Sequence, residues 1–145
     1  MSLETGRYII YNREYAVGRR LAEDLSLAPK EIVLTSQEQQ TTWIFEKTGN
    51  QENEYSITSN HSPTAHIEGY VFALLTEFFS ATKWIVERVP QHGDNAYIIL
   101  TPGRDQGWTA ADDIYDRITV GPLITTNSYP PQYHPKSVFQ ILNIE

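Results

Sequence analysis

An all-β fold is predicted by three features of this sequence. Glycine and proline, 8 of each in 145 residues, break the chain so often that long helices find little room. Short runs rich in isoleucine, valine, tyrosine and threonine lie between the breaks and read as strands. Two sets of similar segments also alternate along the whole chain, the mark of an internal repeat.

The strand runs are Tyr8-Ile9-Ile10-Tyr11, Ile32-Val33-Leu34-Thr35, Tyr97-Ile98-Ile99-Leu100 and Ile118-Thr119-Val120. Residues 69–90 are ambiguous on their own. Val71, Leu74, Leu75, Phe78 and Phe79 fit helical spacing, but two strands around a turn near 76–81 fit equally well.

The repeat decides between them. A first set of segments is Arg7-Tyr8-Ile9-Ile10, Glu54-Tyr55-Ser56-Ile57 and Ala96-Tyr97-Ile98-Ile99. A second set is Thr41-Thr42-Trp43-Ile44-Phe45, Thr82-Lys83-Trp84-Ile85-Val86 and Ser137-Val138-Phe139-Gln140-Ile141. The order is opener, closer, three times over, so residues 69–89 become two strands by analogy with 30–47. Three such units filling one domain predict a β-trefoil of twelve short strands in three pseudo-repeats, roughly 1–48, 49–89 and 90–145. A single unit cannot bury its own apolar face, whereas three together close a small barrel and remove the exposed edges. The repeated Tyr8, Tyr55, Tyr97, Trp43, Trp84 and Phe139 are then expected in the core. Thr109-Ala110-Ala111-Asp112 has the form of a cap on one helical turn.

Composition excludes much chemistry. With no cysteine there is no disulfide framework, thiolate metal site or cysteine nucleophile. The net charge of -7 argues against a nucleic-acid partner, and no apolar run is long enough to span a membrane. No signal peptide is readable at the N-terminus, which gives a cytoplasmic expectation. His61, His66, His92 and His134 form no metal-binding pattern, and His61 and His66, an odd number apart, point to opposite faces of a strand. Asn60-His61-Ser62 fits a glycosylation triplet but reads as ordinary loop sequence. No serine-hydrolase elbow or phosphate-binding glycine pattern is present, and the acid pairs Glu23-Asp24 and Asp112-Asp113 read as solvated charge. The expectation is a binding protein with no cofactor and no metal, not an enzyme.

Function then falls to loops on a rigid scaffold. The first candidate runs from Ala22 through Glu23, Asp24, Leu25, Ser26, Leu27, Ala28 and Pro29 to Lys30. Its leucines either anchor in a partner or tuck beneath the barrel. The second is Gly121 to Lys136, which has no charged residue between those ends and carries Asn127, Tyr129, Pro130, Pro131 and Tyr133. Prolines stiffen such a loop and tyrosines make contacts at low entropic cost. Pro130-Pro131-Gln132-Tyr133 also fits a short WW-domain ligand pattern.

The segments Met1 to Ile10, Leu21-Ala22-Glu23-Asp24, Lys30-Glu31-Ile32-Val33-Leu34, Pro63 to Glu68, Val71 to Leu75, Ala81-Thr82-Lys83-Trp84 and Asn95 to Ile99 resemble the fungal β-trefoil protease inhibitors of the cospin and cnispin type. The resemblance covers nearly the whole chain. It implies a trefoil fold and a cytosolic, protease-resistant inhibitor serving defence or control of proteolysis. It further implies that the partner is a protease, a serine protease foremost, met in substrate-like fashion by the reactive-site loop between the second and third strands, here 22–30. The cospin type carries a basic residue there, but this tip reads Leu25-Ser26-Leu27, which suits a hydrophobic S1 pocket. Leu25 is the expected S1 residue, with Leu27 or Lys30 as fallbacks. The cnispin type implies the loop before the last strand, here 121–136.

Two further readings stay open. One is a carbohydrate-binding trefoil lectin, with Trp108 able to stack on a sugar, although no glutamine precedes Trp43 or Trp84 at the lectin spacing. The second is an inhibitor of cysteine or aspartic proteases through loops such as Thr58–Thr64 or Ser36–Gln40.

Overall fold

The computed structural model describes residues 3–144; Met1 and Ser2 of the opening segment, and Glu145, lie outside the described residues. Twelve strands follow in order: β1 (Gly6–Asn12), β2 (Tyr15–Arg19), β3 (Lys30–Thr35), β4 (Trp43–Lys47), β5 (Glu54–Ser59), β6 (Ser62–Ile67), β7 (Tyr70–Ala73), β8 (Trp84–Arg88), β9 (Ala96–Leu100), β10 (Gly107–Thr109), β11 (Thr119–Gly121) and β12 (Phe139–Asn143). Three short 3-10 turns, Gln37–Gln39, Pro90–His92 and Pro135–Ser137, are the only helical elements among the described residues.

The strand pairing explains why two families of segments alternate in the sequence. β1 pairs with β4, β5 with β8 and β9 with β12, each antiparallel. In each pair the opener tyrosine faces the closer aromatic: Tyr8 lies opposite Trp43, Tyr55 opposite Trp84, and Tyr97 opposite Phe139. β4–β5, β8–β9 and β12–β1 pairings join these couples into a closed ring of six strands, so none of the six has a free edge. The remaining six strands form three hairpins, β2–β3, β6–β7 and β10–β11, and β7 pairs with both β3 and β11.

All six repeated aromatics are buried, as expected. They sit in one core with Ile10, Ile32, Leu34, Ile57, Val71 and Ile99. Two of the buried indoles find partners, the Trp43 N–H donating to the Val17 carbonyl at 2.9 Å and the Trp84 N–H to Thr64 Oγ1 at 2.7 Å, whereas the Trp108 N–H has none among the described residues. The Tyr55 hydroxyl donates to the Leu3 carbonyl at 2.6 Å. Such pairing lets a ring fill an apolar interior without stranding its polar atom.

Residues 69–89 form β7 and β8 around a long loop, not a helix. Thr109–Asp112 does not start a helical turn. β10 ends at Thr109 and the chain passes into a turn in which Tyr115 takes φ +68. Asn60 and His61 occupy the tight β5–β6 turn, both with positive φ, a conformation that asparagine tolerates better than most residues.

Candidate functional site

The 22–30 loop connects β2 to β3, the place expected for it, and its two ends are held differently. On the β2 side, Gly18 lies so close to the chain at Thr41 that an added Cβ would sit 2.1 Å from Thr41 Oγ1. That same oxygen accepts the Arg19 N–H at 3.3 Å. Arg19 then grips Glu23 with two parallel bonds, Nε to Oε2 at 2.9 Å and Nη2 to Oε1 at 2.7 Å. A bidentate guanidinium–carboxylate pair fixes direction as well as distance. Arg20 bonds Glu31 at the opposite side of the loop's base and donates to the Tyr115 carbonyl at 3.0 Å.

On the β3 side the lock is internal. Lys30 is 6 % exposed, and its ammonium donates to Asp24 Oδ1 at 2.5 Å and to the Asp24 carbonyl at 3.1 Å. Asp24 Oδ1 also accepts from the Ser26 hydroxyl at 2.7 Å and the Ser26 N–H at 3.0 Å. The Lys30 bond, followed by those from Ser26, holds the Asp24 carboxyl down at about 2.

These bonds give the loop residues unequal roles. Glu23, Asp24 and Ser26 build the frame. Lys30 belongs to β3, not to the loop proper, and it props the turn from within, its ammonium paired with Asp24. Neither leucine tucks beneath the barrel: Leu25 is 100 % exposed and Leu27 68 %. Ala28 is exposed and Pro29 half-buried as the chain enters β3. In the sequence Glu23 and Asp24 pass for solvated charge and Arg19 belongs to no motif. An arginine four residues ahead of Glu23, at the end of a strand, is the signal that could have found the grip.

The 121–136 loop lies between β11 and β12 and has its own anchors. The Gln91 amide donates to the Pro131 carbonyl at 2.8 Å, and the Tyr133 N–H to His92 Nε2 at 3.0 Å. At its base the buried Asn12 amide donates to the carbonyls of Pro135, Lys136 and Val138. Lys136 pairs with Asp112 and keeps that carboxyl below its ordinary range. Tyr133 packs against the smaller apolar cluster around Ile85 and Ile98, while Tyr129 stands 98 % exposed; Asn127 and Pro130 are exposed and Pro131 half-buried. The peptide bond between Tyr129 and Pro130 is cis.

The tryptophan that a lectin would offer is not at the surface. Trp108 is fully buried, edge-on to Trp84 at 5.3 Å and to Phe139 at 5.9 Å, so it presents no face to a sugar. Among the described residues no group of three or more histidine, aspartate or glutamate side chains is placed to hold a metal ion.

The chain is similar over its whole length to known proteins. The model of the peptidase inhibitor I66 family matches residues 1–143. A Lentinula edodes protein named serine protease inhibitor is 50 % identical over 147 residues, covering 99 % of this chain and 100 % of that one. Among solved structures, a proteinase inhibitor from Coprinopsis cinerea superposes with a TM-score of 0.89 at 31 % identity, over 98 % of this chain and 99 % of that one. The designed threefold-symmetric protein ThreeFoil superposes at 0.68 with 12 % identity, over 96 % of this chain and 99 % of that one, a likeness of fold alone.

Proposed function

Because the chain belongs to the peptidase inhibitor I66 family, we propose that it inhibits serine proteases by presenting the 22–30 loop as a substrate. The observation that carries this reading is a contrast within one loop. Leu25 is entirely exposed, while the residues beside it are bonded to one another and to both flanking strands. An apolar side chain held out on a rigid support is what a hydrophobic S1 pocket binds at low ordering cost. Burying an exposed leucine contributes roughly 1.5–3 kcal/mol. If the bond after Leu25 is cut, Asp24 and Ser26 remain tied through Lys30, so religation competes with release. We also propose that the six-strand ring and three hairpins constitute a single β-trefoil domain, with repeats near 1–48, 49–89 and 90–145. The alternation of paired aromatics supports that division.

The test is a panel of chymotrypsin-like, elastase-like and trypsin-like serine proteases together with cysteine and aspartic proteases. The expected pattern is inhibition of serine proteases that accept leucine at S1, lost in Leu25→Asp and retained when 121–136 is replaced. Unchanged inhibition by Leu25→Asp across the panel would falsify the assignment of the loop. Loss confined to the 121–136 replacement would move the site to the loop carrying Tyr129.

A further inference from the structure

Exposed apolar side chains stand on several loops, Ile124 and Tyr129 on the 121–136 loop among them, but two neighbouring loops carry a group of five. Leu21, Leu25 and Leu27 stand on the β2–β3 loop, and Phe78, 85 % exposed, and Phe79 stand on the β7–β8 loop. The two loops leave the sheet at one place. β3 and β7 are antiparallel neighbours in which Lys30, where the first loop ends, lies opposite Ala73, where the second begins. Arg19 ties the first loop's base to the same region, its Nη1 lying 3.4 Å from Ser62 Oγ of β6.

The β7–β8 loop is held at both ends by that strand. The Leu74 N–H donates to the Pro63 carbonyl at 2.8 Å and the Thr82 N–H to the Thr64 carbonyl at 3.0 Å, while the His66 N–H donates to Thr82 Oγ1 at 2.9 Å. Between these ends, Thr76 Oγ1 accepts the Phe78 N–H at 3.3 Å, and the two phenylalanine rings meet edge-on at 5.0 Å. A pair of aromatic rings carried outward on a pinned loop is costly to leave in water without an occupant.

We propose that this loop is a second contact for the protease seated on 22–30, with Phe78 as its anchor and an apolar strip beside the catalytic cleft as its counterpart. The proposal rests on the reading of 22–30 as the inhibitory loop. Leu25 and Phe78 each lie five residues from the Lys30–Ala73 pair, so each Cα is within about 18 Å of it. A standard interface covers about 800 Å² on each partner, so one centred on the end of the β3–β7 pair where both loops leave the sheet extends about 16 Å each way, comparable with the reach of each loop. Buried aromatics dominate interface energetics, and rigid rings are ordered at little entropic cost.

The experiment compares inhibition constants and dissociation rates of wild type, Leu25→Asp and the double variant Phe78→Ser/Phe79→Ser on the proteases that the wild type inhibits. Melting temperature and sedimentation are measured alongside. Phe78→Ser alone, at the more exposed of the two rings, keeps the test valid if the double variant unfolds. The expected result is an inhibition constant raised about tenfold or more, mainly through faster dissociation, with the melting temperature unchanged and every protein monomeric. Loss of inhibition in Leu25→Asp with wild-type behaviour of the phenylalanine variants overturns this proposal and leaves the reading of 22–30 standing. Wild-type inhibition by all variants overturns both. Self-association of the wild type that the phenylalanine variants abolish, with inhibition unchanged, assigns the patch to a second copy and overturns it too.

Discussion

Replacing Lys30 with methionine separates the loop's order from the stability of the fold. Methionine keeps the apolar stem inside β3 and removes the ammonium that reaches Asp24 Oδ1 at 2.5 Å, the Asp24 carbonyl at 3.1 Å and Ser26 Oγ at 3.4 Å. The bonds between Asp24 and Ser26 survive, and so does the Arg19–Glu23 grip, so the loop is loosened but not released. Backbone ordering costs about 1–2 kcal/mol per residue. Freeing one or two residues that must be re-ordered on binding therefore weakens inhibition by roughly 1–4 kcal/mol, from about fivefold to several hundredfold. Fold stability moves the other way or not at all. The substitution removes a buried charge whose desolvation largely offsets the attraction of its exposed partner. Tight-binding titration against the target protease gives the first quantity and thermal unfolding the second. An unchanged inhibition constant refutes this role for Lys30. So does a large drop in melting temperature, which would make Lys30 part of the fold's support and not of the loop's.

Other consequences follow from the same geometry. Asp24 has a depressed carboxyl, so its contribution is complete above the ordinary value of 3.8 and is lost as pH falls through about 2. A carboxyl titration followed by NMR should place its midpoint near 2 in the wild type and higher in Lys30→Met; a wild-type midpoint at the ordinary value contradicts the lock. Thr64→Val strands the buried Trp84 indole N–H and removes the Thr64 bond to the Ile57 carbonyl at 2.8 Å. Urea denaturation should show a loss of about 1–3 kcal/mol with inhibition at 25 °C unaltered, and a neutral result would mean the indole finds another partner.

Much of the fold is legible in the sequence because the repeat is carried by large aromatics in the ring, where burial constrains residue type. Tyr8, Tyr55 and Tyr97 align with Trp43, Trp84 and Phe139 without any knowledge of their pairing. The hairpin strands are harder to see. β6 contains Pro63 and His66, β10 is only three residues long, and β2 holds Gly18 at a close approach, so none shows a clean alternation. The sequence sets the candidate loop at 22–30, whereas the β2–β3 connection runs from Arg20 to Pro29 and Lys30 opens β3, and the loop's mechanics are not readable there. Lys30 looks like a displayed charge because a strand's first residue resembles loop sequence, and only the tertiary turn brings Asp24 onto it. Phe78 and Phe79 look like the end of an apolar run, since phenylalanine is by default a core residue. Their exposure depends on Leu74 and Thr82 being pinned to β6 so that the chain between them is forced outward.

Inhibition by Leu25→Arg, measured on a trypsin-like protease and on a leucine-accepting one, decides whether the loop's tip enters S1. A substrate-like tip that enters S1 should acquire trypsin inhibition and lose potency on the leucine-accepting enzyme by about a hundredfold or more, because an S1 pocket discriminates by shape and charge. An unchanged specificity, with the loop intact and the protein folded, would show that Leu25 does not enter S1.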